Sequence, residues 1–236
     1  MSAEELAQVI GYSFVRPELL EEALTHPSAL GSMPARGRHR RRETPNRSYE
    51  RLEFLGDRVL GLVIADLLWR RFESEPEGHL TRRHTHLVRR EALARVATQV
   101  GLGAHLILSR AERPAGAASN PSILADACEA LIAAIYLDGG FEAATVFVHR
   151  FWEPLIDEMD EPPRDPKTAL QERMQARGLA LPTYELVGSS GPDHALRFTV
   201  EASVAGGHRA IATASSKRLA EAKAAEMLLE QLTDEG

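Results

Sequence analysis

What the chain lacks narrows it first. It has a single cysteine, Cys128, so it can build neither an internal disulfide nor a zinc knuckle. Aromatic residues make up only 6%, too few for a protein that binds chiefly by stacking on bases. Nor is there an excess of positive charge. Lys and Arg number 28 against 34 Asp and Glu, a formal net charge of −6, which excludes a wholly basic nucleic-acid coat protein but not a local basic patch. The longest purely apolar run lies near Leu131–Leu137, far too short to span a bilayer. The opening Met1-Ser2-Ala3-Glu4-Glu5 carries acids where a secretory signal carries bases. The expectation is a soluble, cytoplasmic protein without a membrane partner. What is present, 236 residues with 44% hydrophobic and 26% charged, suffices for one large or two small globular domains.

The clearest boundary is the stretch Asp157–Pro166, where three prolines and a knot of acids cannot continue a helix and suit an exposed linker. Before it, Tyr49–Arg71, Leu80–Val100, Pro121–Leu137 and Phe141–Phe151 repeat apolar residues every three or four positions, the helical period. After it, a helix over Thr168–Arg177 stops at Gly178. Strand signals follow at Tyr184–Val187, Leu196–Val204 and His208–Ala214, separated by glycine-rich turns. Ser215 or Ser216 then caps a closing helix. The expected organisation is an all-α domain over 1–156, a linker over 157–164, and a small α+β domain of order α-β-β-β-α over 165–234. Residues 31–47 fit neither domain. Six arginines against one glutamate make this insertion either a solvated loop or a basic arm that contacts phosphates.

Glu50, Glu53 and Asp57 fall at i, i+3 and i+7, so a helix stacks them on one side. That stripe continues into Leu60, Gly61, Ile64 and Leu68, while Leu52, Leu55, Val59, Leu62 and Val63 fill the other side. A helix apolar all round is buried, so the acids belong in or beside a core. Asp126 and Glu129, at i and i+3, repeat the situation among apolar and small neighbours. A half-buried carboxylate must be protonated, paired with a cationic side chain from elsewhere, or bound to a metal ion. Two all-oxygen clusters suit a hard cation such as Mg²⁺, and arginine pairing is the alternative.

Here a family becomes legible. Glu50-Arg51-Leu52-Glu53-Phe54-Leu55-Gly56-Asp57 resembles the signature helix of the ribonuclease III family, and Ser122-Ile123-Leu124-Ala125-Asp126 with Glu129-Ala130-Leu131 resembles its second acidic motif. Ala23-Leu24-Thr25-His26-Pro27-Ser28 and Pro76-Glu77-Gly78 match further segments. The C-terminal part is similar to a double-stranded-RNA-binding domain through Asp165-Pro166-Lys167-Thr168, Leu170-Gln171-Glu172, Leu181-Pro182-Thr183-Tyr184, Gly191-Pro192-Asp193-His194 and Ser215-Ser216-Lys217-Arg218. The resemblance implies an all-α ribonuclease III nuclease domain followed by that binding domain. It also implies a homodimer that cuts double-stranded RNA, leaving 5′-phosphate and 3′-hydroxyl ends with a short 3′ overhang. Processing of ribosomal, messenger and small RNAs comes with it. On the family pattern, Glu53, Asp57, Asp126 and Glu129 hold catalytic Mg²⁺, with Mn²⁺ as a substitute and no organic cofactor. Glu50 and Glu77 support them, and Phe54 packs into the partner subunit or else joins its own core. The same resemblance assigns Gln171 and Glu172 to 2′-hydroxyl contacts, His194 to a second minor groove, and Lys217 with Arg218 to phosphates.

The chain also departs from the pattern. Arg58 follows Asp57 where a small residue is usual, and His84 stands at a position that is commonly Arg. Ala115-Gly116-Ala117 replaces a Ser-Gly-Gly loop, and Glu221 takes the third basic place of a Lys-Lys-x-Ala-Lys run. None of these removes an acid. Among other candidates, His79, His84 and His86 point in different directions on a helix, so a metal site there is not expected. Cys128 reads as a small core residue and His26 as a packing or capping histidine.

Overall fold

The computed structural model describes residues 3–30, 47–112, 116–192 and 196–234. The chain divides into two compact units, Met1–Pro163 and Arg164–Gly236.

The first unit is helical: α1 (Ala3–Ile10), α2 (Pro17–Leu24), α3 (Pro27–Leu30), α4 (Glu50–Arg71), α5 (Glu77–Leu87), α6 (Arg90–Gln99) and α7 (Pro121–Asp157). Its centre is the packing of α4 against α7, with α6 and α2 laid against α7. The α7 helix starts where Pro121 presets the first turn and the Asn120 side chain accepts from the Ser122 backbone N–H at 2.9 Å. Gly140, at φ 80° and ψ −177°, interrupts it, a conformation that disfavours any side chain. The sequence reading of separate segments to Leu137 and from Phe141 reflects this break. By length and composition α7 could cross a membrane, yet Ala127, Cys128, Leu131, Ile132 and Val148 are fully buried in the unit's own core.

The expected continuous helix over Leu80–Val100 is instead two. The break falls at Val88 and Arg89, where Arg89 is extended at ψ 158°, and the Trp152 indole on α7 donates to the freed Leu87 carbonyl at 2.8 Å. Arg83 on α5 is fully buried. Its guanidinium stacks on Phe72 at 4.0 Å, pairs with Glu75 and donates to the Met159 carbonyl at 2.8 Å. Asp157 is still helical, so residues 157–160, which the sequence reading assigns to the linker, begin as helix and are then held against α5.

The second unit comprises α8 (Pro166–Ala176), the antiparallel strands β1 (Thr183–Ser190), β2 (Arg197–Ser203) and β3 (Arg209–Ala214), and α9 (Lys217–Asp234). Asp165 caps α8 by accepting from the backbone N–H groups of Lys167 and Thr168 at 3.0 and 3.1 Å. Of the two serines before α9, Ser216 makes the cap, its Oγ accepting from the Leu219 N–H. The strands β2 and β3 alternate: Val200, Ala202, Ala210, Ala212 and Ala214 point inward onto Ala220, Ala224, Ala225 and Leu228 of α9, whereas β1 is exposed along most of its length and shifts register between Leu186 and Gly188. Small residues on both faces let helix and sheet approach closely.

Candidate active site

Gly56 decides the geometry of the acids. A Cβ there would run into the backbone of Glu129, 2.5 Å from its carbonyl carbon and 3.1 Å from its Cα. Without a side chain, α4 and α7 touch backbone to backbone one turn from Glu53, and three carboxylates meet. Oxygens of Glu53, Asp126 and Glu129 lie within 4.8 Å of one another, each side chain half-buried.

Like charges this close, partly withdrawn from water, resist ionisation together. Burial, followed by the charges of Glu53 and Asp126, pushes Glu129 up to about 7. Burial and the neighbouring Asp126 and Glu50 raise Glu53. Asp126 is raised by burial, against the opposing pull of Arg90 and His26. Arg58 and Arg90 act on Glu129 through their fields only; no ion pair joins either of them to the three acids among the described residues. A cluster of hard oxygen donors that repel one another and lack a bonded cationic partner fits a divalent metal ion.

The remaining expected residues are placed differently. Asp57 does not join the group; its carboxylate forms an ion pair with Arg58, the residue that departs from the family pattern. Arg58 also lies over the Phe54 ring at 5.3 Å. Glu50, exposed at the start of α4, accepts from Ser48 Oγ at 2.7 Å and its charge reaches Glu53. Glu77, exposed at the start of α5, accepts from Thr81 Oγ1 at 2.7 Å within its own helix. Phe54 is 68% exposed, so it is not part of its own unit's core.

Sequence reasoning missed two neighbours. Tyr49 is buried and within electrostatic reach of the acids, its hydroxyl raised by burial and then by Asp126, Glu53 and Glu50. Arg90, opening α6, is distant in sequence and carried no signal. His26 is a cap, as one of its two readings held: the Ser28 backbone N–H donates to its Nδ1 at 3.1 Å, and the ring stands edge-on to Tyr49. His84 bonds across to the Gly61 carbonyl at 3.0 Å, and Cys128 is fully buried, which raises its thiol.

In the second unit, Gln171 and Glu172 are exposed on α8, and Lys217 and Arg218 are exposed at the start of α9. His194 and residues 31–46 of the basic insertion lie outside the described residues.

A helical unit that gathers half-buried carboxylates for a hard cation, joined to an α-β-β-β-α unit with basic residues at a helix start, defines a metal-using enzyme of nucleic-acid type. The comparisons make this specific. Residues 16–155 match the Ribonuclease-III-like family and residues 166–232 the Double-stranded RNA binding motif family. The chain is 49% identical over 223 residues to Ribonuclease 3 of Ruegeria pomeroyi, covering 94% of each. It is 44% identical over 232 residues to Ribonuclease 3 of Ehrlichia canis, covering 98% of each. Among solved structures it is similar to the nuclease domain of a ribonuclease III from Campylobacter jejuni, with 36% identity and a TM-score of 0.57, covering 67% of this chain and 99% of that one. A second structure of that domain, described as showing flexibility in a region involved in dimer formation, is 37% identical with a TM-score of 0.56, covering 65% and 97%. The chain belongs to the ribonuclease III family.

Proposed function

We propose that the protein is a metal-dependent endoribonuclease that hydrolyses both strands of duplex RNA. One observation carries the reading: Glu53, Asp126 and Glu129 converge at the Gly56 contact in a chain that also matches a double-stranded RNA binding motif. Glu53, Asp126 and Glu129 hold the ion, Mg²⁺ or Mn²⁺, with Asp57 as a further ligand once released from Arg58. When bound, such an ion lowers the pKa of a water and stabilises charge building on phosphate oxygens. The acids themselves keep the phosphate backbone away until that charge is neutralised, so cutting is conditional on metal. Glu50, whose charge reaches Glu53, supports the cluster, and Glu77 takes the supporting role that the family pattern gives its position. The products are 5′-phosphate and 3′-hydroxyl ends with short 3′ overhangs, and the setting is the processing of ribosomal, messenger and small RNAs in the cytoplasm.

The second unit grips the substrate by shape. Gln171 and Glu172 meet 2′-hydroxyls of one minor groove, His194 meets the next, and Lys217 with Arg218 meet phosphates where the α9 N-terminus adds its own partial positive charge. The active form is a homodimer. Support comes from α4, whose exposed Phe54, Leu62 and Trp69 share one face. The dimer-forming region named for the Campylobacter jejuni nuclease domain points the same way.

The test is incubation with a long RNA duplex, the matching single strand and a DNA duplex, with and without Mg²⁺, followed by mapping of the ends. Duplex-RNA cleavage only with metal, giving 5′-phosphates, is expected. Metal-independent cutting, or equal cutting of single strands, would overturn the proposal.

A further inference from the structure

The start of α8 and the first turns of α9 meet at a single carboxylate. Glu221 Oε2 pairs with Lys167 Nζ at 2.5 Å, and Glu221 Oε1 faces Lys217 Nζ at 4.0 Å, one turn earlier on α9. The Glu221 side chain is only 15% exposed, whereas those of Lys167 and Lys217 are 36% and 56% exposed. Lys167 is further fixed over the Tyr184 ring at 4.6 Å. The arrangement is thus two ammonium groups reaching toward solvent from the N-terminal ends of two helices, with one carboxylate seated between them. Helix N-termini and lysines are what a phosphate oxygen seeks. A carboxylate in that position offers the same charge and the same hydrogen-bond acceptors.

We infer that Glu221 is an internal competitor for RNA phosphate: it occupies Lys167 and Lys217 in the free protein, and duplex RNA must draw them away to bind. The inference rests on the reading of the second unit as the duplex-RNA grip. Glu221 then sets affinity and salt sensitivity without touching RNA, because it governs how many lysines are available to displace counterions. A purely structural ion pair would behave otherwise, since its loss would loosen the helix junction and weaken binding.

Binding of the full chain to an RNA duplex of roughly 16 base pairs, the span of one such domain, is measured in EDTA so that the probe stays intact. The measurement is repeated across a salt series for wild type, Glu221→Gln, Glu221→Asp and Glu226→Gln. Glu226 is exposed further along α9, so its variant changes net charge equally without releasing the lysines. Glu221→Gln is expected to bind about three- to tenfold tighter than wild type, with a log–log salt slope steeper by about 0.7 to 1.5. Glu226→Gln is expected to shift neither by more than a fraction of that. Glu221→Asp keeps the charge but draws it back by one methylene from Lys217, and is expected to bind about twofold tighter. Equal effects at Glu221 and Glu226, or weaker binding by a folded Glu221→Gln, would overturn the inference. Should Glu221→Gln not fold, unchanged binding by Glu221→Asp would do the same. Failure of wild type itself to bind duplex RNA would instead remove the reading of the unit as an RNA grip, and this inference with it.

Discussion

Replacing Gly56 with alanine tests the link between backbone packing and the acidic site. The new Cβ would sit 2.5 Å from the Glu129 carbonyl carbon and 3.1 Å from its Cα, against both of which ordinary contact begins near 3.4 Å. Backbone cannot rotate aside as a side chain can, so α4 and α7 must separate by about an ångström at the point where the acids meet. Overpacking of this kind costs about 1–3 kcal/mol, a fall in Tm of roughly 2–10 °C for a unit of this size. The catalytic consequence is larger, because a displacement of about 1 Å in a reacting constellation costs on the order of 10²-fold. Gly61→Ala is the matched control. It lies on the same helix, but its Cβ would meet only His84 at 3.8 Å, an ordinary contact. Removing a mid-helix glycine there should be neutral or stabilise by up to about 1 kcal/mol. Thermal melts and initial cleavage rates read both variants. Wild-type stability and rate in Gly56→Ala, or equal damage from Gly61→Ala, would refute the reasoning.

Further consequences follow from charged groups outside the cluster. Arg58→Ala should lower the Mn²⁺ concentration that half-saturates the protein, measured by calorimetry without RNA, because it frees Asp57 and removes a positive field from Glu129; an unchanged titration would leave Asp57 outside the metal site. Arg83→Met strands Glu75 and the carbonyls that Arg83 serves, costing about 3–5 kcal/mol and hastening proteolysis after Met159; resistance equal to wild type would show that this clasp does not hold the chain there. The Asp138 carboxylate is covered by its partners near the protein surface, and although burial pushes its carboxyl up, the N–H groups of Val15 and Arg16 and the Tyr12 hydroxyl outweigh it and hold the carboxyl below its ordinary value. A depressed folded-state value means stability that is complete above the ordinary carboxyl range and is lost as pH falls through the lowered one. Asp138→Asn should therefore flatten the acid limb of stability below about pH 4 and cost about 1–3 kcal/mol at neutral pH, read by denaturant melts.

How much could be read beforehand divides along physical lines. Helical periodicity marks α4 and the two halves of α7, and carboxylates at i, i+3 on apolar faces mark Glu53, Asp126 and Glu129 in the sequence itself. These signals are local, and burial amplifies them. The break at Arg89 was not legible, because the partner that stabilises it, Trp152, comes from another helix. The Asp57–Arg58 pair escaped because helix reasoning looks three and four residues away, whereas this pair is adjacent. The burial of Arg83 carried no sequence signal, because only the fold brings Glu75, Phe72 and Met159 around it. Glu221 showed as a missing base, but its two lysine partners lie on different helices.

The central claim is that Glu53, Asp126 and Glu129 form one metal-dependent catalytic centre, and Glu129→Gln tests it most directly. Glutamine keeps the shape and removes one ligand charge from the most strongly perturbed of the three. Loss of metal-assisted charge stabilisation worth several kcal/mol, at tenfold per 1.36 kcal/mol, should cut duplex-RNA cleavage by about 10³-fold or more. Duplex affinity, supplied by the second unit, should stay within about twofold of wild type. Cleavage at the wild-type rate in Mg²⁺, with binding intact, would contradict the account.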